Sequence, residues 1–181
     1  CLGNLSILLD LGYYPQLKKF IQSHDLTSFE IGRIIRESKK KYVVKGQGGN
    51  YHGEISGKLR HEAKIRSDYP AVGDWVAIKM MEKDQVIIHE ILPRKTIIER
   101  QAIGRFGKKQ TIATNVDVAF VMQDIAHDFN LNRLDRLIAI CFASKIKPVV
   151  ILTKIDITDK HELADRMDQI NKRFNDIPIL K

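Results

Sequence analysis

A chain of 181 residues and 20.8 kDa holds one ordinary domain or two small ones, and its 44% apolar and 29% charged residues exclude a disordered chain. No apolar run approaches the ~18 residues of a membrane span, no secretory signal pattern is present, and Cys1 and Cys141 alone make neither a disulfide framework nor a zinc site, so no membrane partner and a reducing, cytoplasmic setting are expected. The net charge of +8 lies wholly in residues 30–110, which hold 18 basic and 10 acidic side chains; such an excess fits a polyanionic partner or a solvated basic surface equally well.

Residues 1–29 predict a helical lead-in. Leu5, Leu8, Leu9 and Leu11 cluster, Leu17, Phe20 and Ile21 recur at helical spacing, and Pro15 separates the two pieces. Residues 30–100 change character. Five short runs rich in β-branched and aromatic residues follow one another: Ile31 to Ile35, Tyr42 to Val44, Tyr51 to Leu59, Val72 to Met80 and Val86 to Leu92. Five strands with a long gap after the third predict an all-β, oligonucleotide-binding (OB) type barrel, with an SH3-like barrel as the alternative. Gly46, Gly48 and Gly49 read as a hairpin turn. Lys39, Lys40 and Lys41 fall at the tip between the first two strands and are candidate polyanion contacts, although a bare hairpin tip explains them too. Tyr42, Tyr51, Tyr69 and Trp75 beside these cations suit base stacking; for Trp75, flanked by Val72, Val76 and Ile78, a core position is the competing reading.

Residues 101–115 read as a flexible basic linker. Residues 116–181 then show a buried strand from Val116 to Met122, a helix with Leu131, Leu134, Leu137, Ile138, Cys141 and Phe142 on one face, and Asn130 as its N-cap. A second buried strand, Pro148 to Leu152, precedes a helix carrying Leu163, Met167, Ile170 and Phe174, and Ile177 to Leu180 opens a third strand. This β-α-β-α-β order predicts parallel pairing with right-handed crossovers. Strands this apolar need helices on both faces, so the expectation is the incomplete opening of an α/β domain.

Thr153-Lys154-Ile155-Asp156 follows the strand Val149 to Leu152 directly, at the edge where open α/β sheets bind ligands. A carboxylate there can accept the ring N–H and exocyclic amine of guanine, a donor pair that adenine lacks. A lysine stem can cover the base plane. The competing reading is a polar strand-to-helix turn, with Asp156 or Asp159 capping the next helix. A phosphate-cradling G-x-x-x-x-G-K-[ST] loop is absent from the 181 residues. The six histidines are scattered, without metal-ligand spacing. Asp117, Asp124 and Asp128 lie near the first strand of this segment, where turn and cap roles are expected.

In order, the stretches Gly32 to Ile35, Ser56 to Arg60, Val72 to Val76, Ile91 to Lys95, Ile112 to Asp117, Asn130 to Arg136 and Val150 to Asp156 make the chain resemble the ribosome small-subunit-dependent GTPases of the RsgA (YjeQ) type. The resemblance implies a circularly permuted GTPase domain in which the guanine motif precedes the P-loop. The chain would then be the amino-terminal part of such a protein, probing no phosphate by itself and inactive alone. It implies guanine recognition by Thr153, Lys154 and Asp156, with Thr153 in place of the commoner asparagine. It also implies GTP or GDP as ligand, Mg2+ in the complete protein, zinc in a missing carboxyl-terminal region, and action late in maturation of the small ribosomal subunit. The OB domain would dock on ribosomal RNA, with Lys39, Lys40, Lys41 and Arg60 as candidate contacts, and the complete protein is expected to be monomeric. The alternative is a non-enzymatic basic OB-type RNA-binding protein.

Overall fold

The computed structural model of the chain describes residues 5–38, 41–101 and 109–181. They form two compact units, residues 1–115 and 116–181. The first begins with two short helices, α1 (Leu5–Asp10) and α2 (Pro15–Ser23). Strands β1 (Glu30–Ser38), β2 (Lys41–Gly46) and β3 (Gly49–Ile55) follow, then helix α3 (Gly57–Glu62) and strands β4 (Trp75–Glu82) and β5 (Gln85–Ile91). The five strands close into a barrel in the order β1-β2-β3-β5-β4. Closure comes from the antiparallel pair β1–β4 and the parallel pair β3–β5, with α3 between β3 and β4. This is the OB arrangement, so the SH3-like alternative falls.

Alternation builds two cores from one wall. Ile34, Tyr42, Val44, Tyr51, Ile55, Val76, Ile78, Val86 and Ile88 fill the barrel, with Leu59 of α3 packed among them. Ser56 starts α3 by accepting a hydrogen bond from the Leu59 amide at 3.1 Å. The other side of β4 carries Trp75 and Ala77, which pack with Leu92 under Leu8, Leu17 and Leu26 of the lead-in. The Tyr13 ring meets Trp75 edge-on at 5.4 Å, and the Tyr14 hydroxyl donates to the Pro93 carbonyl at 2.6 Å. Trp75 is therefore core, as the competing reading had it. Tyr42 and Tyr51 are buried too, and Tyr69 packs against the barrel core. The base-stacking role suggested for these four aromatics is corrected accordingly: their faces are spent on packing.

The barrel is locked at one point by a buried carboxylate. Asp74 is fully buried, and its two oxygens accept from Arg94 Nε at 2.8 Å, Arg94 Nη2 at 2.7 Å, the Thr114 hydroxyl at 2.6 Å and the Ala71 amide at 2.8 Å. Arg94 also donates to the Ser67 and Tyr69 carbonyls. Arg33 donates to the carbonyls of Leu11, Gly73 and Asn115, and the Asn115 amide group to Gly73 O at 3.0 Å. Gly73 sits at φ +95°, where a Cβ would lie 2.0 Å from the Thr114 carbonyl oxygen, so only glycine lets the two segments meet.

The described part of the expected linker beyond Gln101, residues 109–115, is not free. Strand β7 (Lys109–Thr114) pairs antiparallel with β6 (Ile97–Gln101), and its end is held on the barrel by the Thr114 amide donating to Val72 O at 2.9 Å. β-branched Thr111, Ile112 and Thr114 favour the strand. Residues 102–108 of that expected linker lie outside the described residues.

The second unit is a parallel sheet of β8 (Val118–Asp124), β9 (Lys147–Thr153) and β10 (Ile179–Leu180), in the order β10-β9-β8. Helices α4 (Leu131–Ala143) and α5 (Lys160–Arg173) make the crossovers. Two right-handed crossovers running in one direction leave both helices on one face, and Arg173 of α5 pairs with Asp135 of α4. Leu134, Ile138, Cys141, Ile170 and Phe174 are buried with Val121, Val150 and Leu152. On the other face of β8, Val118, Phe120 and Met122 are 46%, 67% and 55% exposed. The expected cover on both faces is thus present on one.

Candidate functional site

Carboxyl ends of parallel strands gather loops and helix starts, and here they gather the Thr153–Asp156 segment. The register places Asp124, the last residue of β8, beside Thr153, the last of β9. The Thr153 carbonyl accepts from the Ile125 amide at 3.1 Å. Lys154 then turns the chain at φ 60°, ψ 31°, a left-handed conformation that costs a side-chain-bearing residue about 1 kcal/mol. A single turn of 3-10 helix over Ile155–Ile157 follows, and the Thr158 hydroxyl donates back to the Lys154 carbonyl at 2.8 Å. Asp159 caps α5, accepting from the amides of His161 at 2.9 Å and Glu162 at 3.3 Å. The capping role is therefore Asp159's. Asp156 is exposed and its carboxylate has no hydrogen-bond or ion-pair partner among the described residues.

The neighbouring β8–α4 loop is densely tied. Gln123 is buried, and its amide group donates to the carbonyls of Asp124 at 2.6 Å and Asp128 at 2.8 Å. Asp124 accepts from the amides of Ala126 at 2.9 Å and His127 at 3.0 Å. Its other oxygen lies 2.7 Å from Lys154 Nζ. The Lys154 ammonium, then the His127 and Ala126 amides, hold the Asp124 carboxyl well below the usual carboxylate range. Arg166 of α5 reaches across to the Ile125 and Ala126 carbonyls and stacks over Phe129 at 5.3 Å. Asn130 caps α4 by accepting from the Arg133 amide at 2.9 Å, as its position suggested, and Arg133 pairs with Asp128.

Sequence reasoning identified Thr153, Lys154 and Asp156 and left Asp124 a turn role. It has that role and pairs with Lys154 as well. Gln123 and Arg166 were not singled out. Their signal is the parallel register and the α5 helical phase, which put a buried amide and a long cation on one loop.

The proposed polyanion contacts are less concentrated. Lys41 opens β2 and Arg60 sits on α3, both exposed, while Lys39 and Lys40 lie outside the described residues. Lys41 lines a hollow of about 460 Å³ together with His52, Glu54 and Glu82, so cation and carboxylates share it. Among the described residues, no group of three or more His, Cys, Asp or Glu side chains could hold a metal ion, and no helix is long and apolar enough to cross a membrane.

Residues 91–180 match the model of the RsgA GTPase family. The match takes in the β6–β7 ribbon as well as the whole β-α-β-α-β unit. The chain is 35% identical over 173 residues to small ribosomal subunit biogenesis GTPase RsgA 1 of Bacteroides thetaiotaomicron, covering 95% of this chain and 48% of that one. It is 36% identical over 159 residues to small ribosomal subunit biogenesis GTPase RsgA of Opitutus terrae, covering 83% and 43%. The fold resembles the crystal structures of YjeQ from Thermotoga maritima and of YloQ, described as a circularly permuted GTPase. The TM-scores are 0.63 and 0.61 at 18% and 21% identity, over 83% and 87% of this chain and 50% and 52% of those. The chain spans about half the length of the curated relatives it matches. An OB barrel leading into a parallel sheet whose second strand runs directly into the segment Thr153-Lys154-Ile155-Asp156, matched by the family model through that sheet, makes this chain a member of the RsgA GTPase family.

Proposed function

We propose that these residues supply guanine recognition to a GTPase that acts on the small ribosomal subunit during its maturation. The observation carrying this reading is Asp156, an exposed carboxylate without a described partner, next to a lysine held in a strained turn at the ligand edge of the sheet. Asp156 accepts the guanine ring N–H and amine, the Lys154 stem covers the base, and Thr153 stands where the family motif more often has asparagine. The phosphates of GTP or GDP need a cradle, and the 181 residues contain no P-loop, so phosphoryl transfer falls to residues outside them and this segment alone turns nothing over. Magnesium and zinc belong to the same reading, as ligands of the complete protein.

The barrel is proposed to dock on ribosomal RNA, supported by the basic excess of residues 30–110 and the names of the relatives. Lys39, Lys40, Lys41 and Arg60 are the proposed contacts, in a monomeric cytoplasmic factor. The experiment is a comparison of guanine, xanthine and adenine nucleoside diphosphates on the full-length protein and its Asp156→Asn variant. Asparagine offers a donor where the carboxylate only accepts, so GDP affinity should fall roughly a hundredfold and XDP should gain. Unchanged GDP selectivity would remove Asp156 from the base site. Salt-sensitive RNA binding with no nucleotide preference at all would favour the non-enzymatic RNA-binding alternative.

A further inference from the structure

We infer that Asp124 is a positioning residue for guanine-nucleotide binding, one that fixes the Lys154 side chain before the base arrives. The inference rests on the base-site reading of Lys154 and Asp156 above.

Lysine is a poor choice for a rigid wall. Its four-carbon stem is flexible, and laying it along a base costs rotamer freedom at the moment of binding. Lys154 has its backbone set by the left-handed turn and its far end set by Asp124 at 2.7 Å. Ion pairs at surfaces usually contribute little, because two mobile side chains must both be ordered. Here one side is already ordered. The Asp124 side chain is only 18% exposed, and the amides of Ala126 and His127 fix its second oxygen. The loop carrying those amides is tied in turn by Gln123 from below and by Arg166 from α5. The ordering cost is therefore met by the fold and not by the ligand. A left-handed lysine, where glycine would be unstrained, is the kind of local strain that persists when the side chain is needed.

The test is nucleotide affinity in the full-length protein, using GDP and ADP as probes, for Asp124→Asn, Lys154→Ala and the double variant. Asparagine at 124 can still accept from the Ala126 and His127 amides through its side-chain oxygen, so the loop keeps its turn and only the charge facing Lys154 is lost. Asp124→Asn should weaken GDP binding about tenfold. The ratio of GDP to ADP affinity should stay as in the wild type, because Asp156 reads the base. Adding Asp124→Asn to Lys154→Ala should cost nothing further, since the first residue acts through the second. Wild-type GDP affinity in Asp124→Asn would overturn the inference, and so would losses that multiply in the double variant. A wild-type protein with no preference for GDP over ADP would overturn the base-site reading itself, an outcome separate from either of these.

Discussion

Asp74 and Asp156 both sit in short stretches shared with the RsgA-type pattern, yet the fold treats them in opposite ways. Asp74 is fully buried and has each oxygen saturated by Arg94, Thr114 and the Ala71 amide. Asp156 is exposed and has no described partner. A buried carboxylate is tolerated only when such donors compensate its lost hydration. An exposed one keeps its lone pairs open to water or to a ligand. The lesson is that a recurring motif names neither a structural nor a ligand role by itself; the hydrogen-bond ledger of each side chain does.

That contrast breaks first at the clasp. Asp74→Ala leaves the largely buried Arg94 guanidinium without its counter-charge, and should destabilise the first unit by about 3–5 kcal/mol in denaturant unfolding. A loss under about 1 kcal/mol would mean that the clasp carries little of the barrel's stability. Gly73→Ala comes next. Positive φ and a Cβ driven into the Thr114 carbonyl should together cost about 2–4 kcal/mol, read as a lowered Tm. A variant that melts with the wild type would show the β7 end free to move away from the barrel.

The strand-edge site responds to acid more weakly. Asp124 has its carboxyl lowered below the ordinary value, so its stabilisation is complete above the unfolded pKa of about 3.9 and is lost as pH falls through the lower folded value. A carboxyl-carbon NMR titration of Asp124 should therefore show a midpoint below about 3.9. A midpoint at the ordinary value would dissolve its bond to Lys154. The smallest effect is the sharpest contrast with Asp74: Asp156→Asn should change unfolding free energy by less than about 0.5 kcal/mol. A larger loss would give Asp156 a structural partner and weaken its assignment to a ligand.

Much of this was legible in the residues because period and punctuation are local. Runs of β-branched and aromatic residues between turn residues gave the barrel strands, Asn130 marked the start of α4, and the apolar run from Val149 placed Thr153 to Asp156 at the sheet edge. What stayed illegible depends on register and closure. The tail of the third run, Ser56 to Leu59, reads apolar enough to continue a strand, but Ser56 caps a helix there. Lys109–Thr114 looked like linker because its glycine-rich, basic approach masks a short β-branched run. Tyr42, Tyr51 and Trp75 could not be told from stacking platforms, since period two says that they alternate but not which face is inside. The Asp124–Lys154 contact needs the parallel register, which no single strand carries.

The clasp also sets an order of events during synthesis. Asp74 leaves the ribosome before either of its side-chain partners: Arg94 follows 20 residues later and Thr114 follows 40 later. At about 5–20 residues per second, roughly 2–8 s separate the carboxylate from its last donor. β4, β5 and then Arg94 emerge within that interval, so the barrel can close before its last latch, Thr114, arrives. Its final stability therefore arrives only as the first residues of the second unit emerge, which ties completion of the barrel in time to the birth of its neighbour.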